Sequence, residues 1–136
     1  MISTKGRYAM RVMLDLAMQP QGTFVPLHDV AVRQNISEKY LEIIIKMLVK
    51  NRLVKGHRGK GGGYMLTRDP ASYSAWEILC CTEENMVPVA CMSEGAETCP
   101  RKAHCPTIGL WEGFDAVTHS YFEKISLTDL ISRTSQ

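Results

Sequence analysis

The chain has 136 residues, 45% hydrophobic and 22% charged, an ordinary composition for one globular domain. No apolar run approaches the roughly 20 residues needed to cross a bilayer, and residues 1–5 lack the apolar core of a signal peptide. We therefore expect a soluble, cytoplasmic protein without a membrane partner. The net charge of +2 hides an asymmetry, because residues 1–70 carry 12 Lys and Arg against 5 Asp and Glu, whereas residues 71–136 carry 4 against 9. The basic first half suggests an anionic partner.

The first third of the chain has the periodicity of three helices. Apolar residues form one stripe in the first helix, which we expect to begin at an N-cap Thr4 and to end near Met18. Pro26 opens the second helix, Asn35 ends it, and Ser37 caps the third. Two short helices joined by a tight turn predict a helix-turn-helix, in which the first residues of the second helix meet base edges in the major groove.

The side chains expected to contact DNA from these helices can donate or accept hydrogen bonds. They are Lys5 on the polar side of the first helix, and Ser37, Lys39, Tyr40 and Glu42 on the third. Glu42 could accept a hydrogen bond from a cytosine amino group. A capped helix with a solvated outer face explains the same residues, so the helix alone does not decide between the two interpretations.

The next segment predicts a β-hairpin with a basic, glycine-rich tip. Residues 53–57 and 64–67 resemble short strands, and Arg58 and Lys60 lie between them among four glycines. Glycine lets the backbone approach phosphates, and the two cations suit the negative minor groove. A nucleotide-binding phosphate loop is disfavoured because no Ser or Thr follows Lys60 and a strand comes next. The pattern predicts a winged helix-turn-helix that binds double-stranded DNA.

The second half of the chain is predicted to be helical. Ser74 and Glu77 form a capping box for a helix in which we expect Cys80 and Cys81 to pack as small apolar residues. Ser126 begins a second capping box, with Asp129, before a short closing helix.

A long helix over residues 107–124 carries a broad apolar face. The residues on this face are Leu110, Phe114, Val117, Tyr121 and Ile125, flanked by Trp111 and Phe122. Such a face is long for so small a chain to bury, so we expect a homodimer, which would hold two recognition helices about one turn of DNA apart. A core helix packed within one chain is the alternative. The fold class is thus mostly α with a small β wing: a DNA-binding domain (1–70) and a helical dimerisation region (71–136) with a cysteine loop (90–106).

The cysteine loop has the spacing Cys91-x7-Cys99-x5-Cys105. The chain has five cysteines, an odd number, and no export signal, which argues against a disulfide framework. The absence of a Cys-x2-Cys pair disfavours a zinc ribbon. Thiolates also bind iron–sulfur clusters, and three of them leave a fourth position for another ligand. Reduced thiols on a loop without metal are the alternative.

Four stretches together resemble the Rrf2 family of dimeric winged-helix transcription factors, which includes iron–sulfur cluster regulators. They are STKGRYAMRVMLDLA, ISEKYLEIIIKML, RGKGGGYML and the spaced cysteines before LW. The resemblance covers nearly the whole chain and implies a palindromic operator read by two wings and two recognition helices. The positions that it assigns are Ser37, Tyr40 and Glu42 on the recognition helix, Arg58 in the minor groove, and Cys91, Cys99 and Cys105 as cluster ligands.

The sequence departs from the family pattern at the fourth cluster ligand. The best-known cluster regulator of the family has a histidine three residues after its last cysteine, where this chain has Ile108. A related nitric-oxide sensor uses an acidic residue near its N-terminus, where this chain has Tyr8. His104 is the nearest histidine, and Glu94, Glu97, a residue of the partner subunit or an external thiol are the other candidates. The cluster type, 2Fe–2S or 4Fe–4S, therefore stays open.

These observations predict a DNA-binding transcriptional regulator, expected to act as a repressor, whose binding is controlled by an iron–sulfur cluster on the three loop cysteines. One alternative is a cluster-free family regulator of cysteine or sulfur metabolism, since some members lack these cysteines. Another is a thiol redox or metal-binding protein. We do not expect an enzyme, because the sequence has no Cys-x2-Cys pair and no Ser/His/Asp constellation.

Overall fold

The computed structural model describes residues 1–134, which form six α-helices and one two-stranded antiparallel sheet. The helices are α1 (Thr4–Ala17), α2 (Leu27–Gln34), α3 (Glu38–Lys50), α4 (Ala75–Thr82), α5 (Ile108–Glu123) and α6 (Leu127–Thr134). The strands are β1 (Val54–His57) and β2 (Gly63–Leu66), and short 3₁₀ turns occur at Pro70–Ser72, Ala90–Met92 and Lys102–His104. None of the described helices combines the length and apolarity needed to span a membrane. The order of helices and strands is the one that the sequence predicts.

Side chains decide where α1, α2 and α3 begin or end. The N-cap of α1 is Ser3, whose hydroxyl accepts a hydrogen bond from the Gly6 amide at 3.1 Å. The prediction of Thr4 is wrong by one residue, because adjacent serine and threonine are both able to cap. Asn35 ends α2 in the left-handed conformation (φ 52°), which asparagine tolerates, and Ser37 then caps α3 as predicted.

The two predicted capping boxes close differently. Ser126 and Asp129 bind each other's backbone amides, at 3.1 and 2.9 Å, so this box is complete. Ser74 accepts from the Glu77 amide at 3.1 Å, but the Glu77 carboxylate pairs with Arg68, 2.6 Å away. The Ser74–Glu77 box is therefore half closed, and the Glu77 carboxylate instead joins α4 to Arg68, which follows the wing.

One hydrophobic core joins both halves of the chain. The core residues from the first half include Ala9, Val12, Met13 and Leu16 of α1 and Leu41, Ile44, Ile45 and Leu48 of α3. Tyr73, Ile78 and Leu127 from the second half belong to the same core. The core thus runs across residue 70, and the division into a DNA-binding and a dimerisation region stays a prediction about function.

The buried Tyr73 holds the base of the wing. Its hydroxyl donates a hydrogen bond to the Leu53 carbonyl at 2.8 Å and accepts from the amides of Thr67 (2.9 Å) and Arg68 (3.0 Å). Leu53 precedes β1 and Thr67 follows β2, so one hydroxyl fixes both ends of the hairpin against the core. A buried tyrosine with these partners carries no unsatisfied polar group.

A buried carboxylate joins α1 to α2. Asp15, only 4% exposed, accepts from the Arg33 guanidinium at 2.8 and 3.0 Å and from the Gln34 amide at 2.9 Å. The hydrogen bond from Asp15 holds the pKa of Arg33 above its ordinary value. Arg11 donates to the Gln34 side chain at 3.1 Å and also to its backbone carbonyl. Because α2 leads directly into α3, this network sets the position of the helix-turn-helix on α1.

Replacing Asp15 by Ala should lower the free energy of unfolding by about 2 kcal/mol, because Arg33 and Gln34 lose a charged acceptor. Since Arg33 is partly exposed, water can replace part of the lost bonding. Urea denaturation followed by circular dichroism measures the change. Glu84→Gln removes an exposed carboxylate and is the control, with an expected change within about 0.5 kcal/mol. Equal losses in the two variants would contradict the role given to Asp15.

Candidate nucleic-acid interface and cysteine site

The outer face of α3 presents the predicted recognition residues to solvent. Lys39 and Glu42 are exposed, and neither makes a side-chain hydrogen bond or ion pair within residues 1–134. The Ser37 hydroxyl accepts from the Tyr40 amide at 3.2 Å, so its own O–H remains available to donate. Glu38, by contrast, lies 3.2 Å from His28 of α2. Lys39 and Glu42 are thus free to bind an external ligand.

Tyr40 has a structural role as well as an exposed edge. Its ring packs edge-on against Tyr8 of α1, with the ring centroids 5.6 Å apart. The Arg11 guanidinium lies over the other ring of this pair, 5.2 Å from the Tyr8 centroid. Lys5, one turn before Tyr8 on α1, is half-buried. The pair of tyrosines therefore fixes the start of α3 against α1.

The wing places two cations on a tightly folded tip. Arg58 and Lys60 are both exposed, and Gly59 between them is left-handed (φ 92°). At Gly63 (φ 149°) a Cβ would collide with the backbone carbonyl of Val25, which pairs with the sheet at this point. Glycine is needed at this position for the hairpin to pack on the preceding loop.

The three loop cysteines line one cavity of about 360 Å³. Cys99 and Cys105 are half-buried and Cys91 is exposed. Glu97 also lines this cavity, whereas Glu94 and His104 do not. Among the candidate fourth ligands named from the sequence, the cavity thus favours Glu97 over His104.

The thiols face a common space without converging on one point. Among the described residues, no group of three or more His, Cys, Asp and Glu side chains is arranged to hold a metal ion. Three thiols and a carboxylate around one cavity are nevertheless a donor set that suits an iron–sulfur cluster, provided that the loop closes around it.

Glu112 is a cavity residue that the sequence analysis missed. It lies on α5, one turn after Ile108, which lines the same cavity. This i, i+4 spacing could have identified it once the start of α5 was placed. Glu112 joins Glu97 as a possible oxygen ligand.

The thiol pKa of Cys105 is shifted in the opposite direction from those of Cys80 and Cys81. A hydrogen bond with the Thr107 hydroxyl, 3.5 Å away, lowers the pKa of Cys105, which favours the thiolate that binds soft metals. Burial raises the pKa of Cys81 to about 11, and partial desolvation, with the nearby charge of Glu123, raises the pKa of Cys80. Cys81 packs against the core as predicted, but Cys80 is exposed, so the expectation that it packs is wrong. Periodicity in a helix of eight residues left its buried face ambiguous.

A carboxylate between α4 and the cysteine loop binds the start of α1. Glu83, directly after α4, accepts hydrogen bonds from the Ser3 amide at 3.0 Å and from its hydroxyl at 2.7 Å. Gly6 leaves room for this contact, because a Cβ there would collide with the Glu83 carboxylate. The negative charge also suits the positive end of the α1 dipole.

No residue between 83 and 124 is buried, although this range includes all of α5. The apolar side chains that remain most exposed on α5 are Leu110 (62%), Phe114 (42%), Val117 (70%) and Tyr121 (57%). Its other side contacts α4, where the rings of Trp76 and His119 stack with centroids 4.0 Å apart. Of the predicted apolar face, Ile125 is buried within the chain.

Comparisons with known proteins agree with one another. Residues 2–133 match the family Rrf2, described as "Iron-dependent Transcriptional regulator". The HTH-type transcriptional regulator IscR of Xenorhabdus nematophila is 38% identical over 130 residues, which are 96% of this chain and 78% of that protein. Among solved structures, CymR, the global cysteine regulator of B. subtilis, superposes with a TM-score of 0.78 at 33% identity, over 98% of this chain and 97% of that one. The structure of T. potens IscR gives 0.77 at 31%, over 98% and 88%. These winged-helix relatives confirm the predicted fold class.

Proposed function

This chain belongs to the Rrf2 family of transcriptional regulators, and from that premise we propose that an iron–sulfur cluster on Cys91, Cys99 and Cys105 controls its binding to a palindromic operator. Regulators of this family bind DNA, and the relatives are regulators rather than enzymes, as the sequence predicts. The proposal extends to the sign of regulation: a homodimer on the operator would block transcription and act as a repressor.

The observation that carries the proposal is the shared cavity of the three loop cysteines. When bound, the cluster would supply a compact core that cross-links the loop through sulfur. Glu97 or Glu112 from the same cavity, or a ligand from outside the chain, would complete its coordination.

Contacts on α1 offer a route from the loop to the recognition helix. Glu83 binds Ser3 at the beginning of α1, and Tyr8, on the next turns of α1, packs against Tyr40 of α3. A change in the loop that moves Glu83 would therefore act on the helix that supports α3. For this to regulate DNA binding, the cluster must bind the two states of the protein with different affinity.

The exposed face of α5 supports the homodimer. Leu110, Phe114, Val117 and Tyr121 recur at intervals of four, three and four residues, which is the spacing of a helix–helix seam. A second copy would cover them symmetrically and set the two wings at a fixed spacing, as a palindrome requires.

A second candidate is a cluster-free regulator of cysteine or sulfur metabolism. The superposition on the cysteine regulator CymR is as close as that on IscR. In this alternative the loop thiols stay reduced or respond to oxidation, and the winged helix binds DNA as in the first candidate. The iron and sulfide content of the protein distinguishes the two candidates.

Replacing Cys99 by Ala should abolish cluster binding, because one of three sulfur ligands is lost. Wild-type protein reconstituted without oxygen should absorb visible light and contain iron and sulfide, and the variant should be colourless. Cys80→Ala is the matched control, since Cys80 lies outside the cavity, and it should retain the absorption. A colourless, iron-free wild type would instead support the cluster-free candidate, and equal loss in both variants would contradict the assigned ligands.

Replacing Arg58 by Ala should weaken operator binding and reduce its salt dependence. Each phosphate contact contributes about −0.9 to the slope of log K against log salt concentration, so two wings should reduce the slope by about 1.8. Fluorescence anisotropy at several salt concentrations measures this. Arg133→Ala makes the same change of charge on α6 and should leave the slope unchanged. An unchanged slope for Arg58→Ala would remove the wing from the interface.

Replacing Val117 by Arg should convert the dimer to a monomer, because two charges would be buried at the centre of the seam. Sedimentation equilibrium gives the mass directly. Glu123→Arg places an arginine on the opposite side of α5 and should leave the protein dimeric. A monomeric wild type, or a dimeric Val117→Arg variant, would show that α5 does not form the interface.

A further inference from the structure

Ile43 lies at the centre of the outer face of α3 and is 46% exposed. Lys39, Lys46 and Lys50 belong to the same face, since the four positions are spaced by four, three and four residues. All three lysines are exposed. The core residues of α3, which are Leu41, Ile44, Ile45 and Leu48, lie on the other side of the helix. Ile43 is therefore an apolar side chain in a row of cations, with no role in the core.

The cations around Ile43 decide what it contacts. The centre of a protein–protein interface is poor in lysine, so this row is a poor surface for an apolar protein partner. Duplex DNA fits both features. Its phosphates flank the major groove and suit the lysines, and thymine presents a C5-methyl group, the apolar feature of the groove that aliphatic side chains contact.

We propose that Ile43 selects thymine in each half-site of the operator by packing against its C5-methyl group. This rests on the proposed function in one respect, namely that α3 is the helix that enters the major groove. In the same proposal, the neighbouring Glu42 accepts a hydrogen bond from a cytosine amino group. The thymine should therefore lie close to that cytosine in the half-site.

The expected effect is modest and additive. Removing one buried methyl group costs about 0.8 kcal/mol, which is about fourfold in affinity for a half-site and about fifteenfold for two half-sites. Neither partner carries a charge at this contact, so the effect should be the same at low and high salt.

The test begins with an operator selected from a random duplex library by the full-length protein. Each thymine of the half-site is then replaced, in both half-sites together, by deoxyuridine, which lacks only the methyl group. Dissociation constants are measured for the wild type, Ile43→Ala and Val49→Ala. Val49 is the matched control, because it is also an exposed aliphatic residue of α3 (38%) but lies beside the lysine row.

At one thymine position, replacement by deoxyuridine should weaken binding of the wild type about fifteenfold. It should weaken binding of Val49→Ala by the same factor. With Ile43→Ala the loss should disappear, and this variant should bind the deoxyuridine operator as tightly as the thymine operator. The inference is overturned if no thymine responds in the wild type, or if Ile43→Ala keeps the full response. Measurements with cluster-loaded and cluster-free protein separate the two levels. If the affinity for the selected operator depends on the cluster but not on the thymine methyl group, only the role of Ile43 is overturned. If the selection enriches no sequence, both operator binding and the role of Ile43 are overturned.

Discussion

The position of the helix-turn-helix (α2 and α3) depends on the hydrogen bonds of the buried Asp15 carboxylate. A charge in the core is costly unless every oxygen is bonded, and here Arg33 and Gln34 supply three short hydrogen bonds from α2. An apolar pair could hold the two helices together but would leave their relative position less defined. Because Asn35 and Ser37 then turn the chain within three residues, the position of α2 determines that of α3. The direction in which the recognition face points is thus set by a polar contact at the far end of α1.

Helix α1 is held at both ends by groups from different parts of the chain. Its last turns carry Asp15, and its first turn is bound by Glu83, which lies between α4 and the cysteine loop. Tyr8, between them, packs on Tyr40. A displacement of Glu83 would therefore act on α3 through α1. For the cysteine loop to affect α3 by this route, two conformations of the loop must differ in the position of Glu83 and so in its contact with Ser3.

The sequence predicts those features that local chemistry decides. Capping residues, helix periodicity and the glycine-rich hairpin lie within a few residues of one another, so the helix-turn-helix and the wing follow directly. The role of Asp15 depends on residues 18 and 19 positions away, and in the sequence Asp15 looks like an ordinary polar helix residue. Tyr73 likewise depends on a distant partner, because its hydroxyl donates to the carbonyl of Leu53, 20 residues earlier. The exposure of Cys80 also depends on the tertiary packing of α4 and not on its neighbours in sequence. The spacing of the loop cysteines predicts their kind of ligand, but only the fold places Glu112 beside them.

The loop cysteines and α5 lie in one segment, residues 83–124, in which no residue is buried. One side of α5 packs on α4, but no residue of this segment is buried, so contacts within the chain offset little of the entropy lost on ordering. A partner surface or a cross-linking group would supply further order. The second copy would cover the outer face of α5, and a cluster would join Cys91 and Cys99 to Cys105. Cys105 bonds Thr107, which precedes the first residue of α5, so ligation at this sulfur would fix where the dimer helix begins. In the proposed dimer, the spacing of two wings on DNA would follow from that point, because α4 joins each winged helix to α5. Loss of the cluster would then change the spacing without altering any residue that touches DNA.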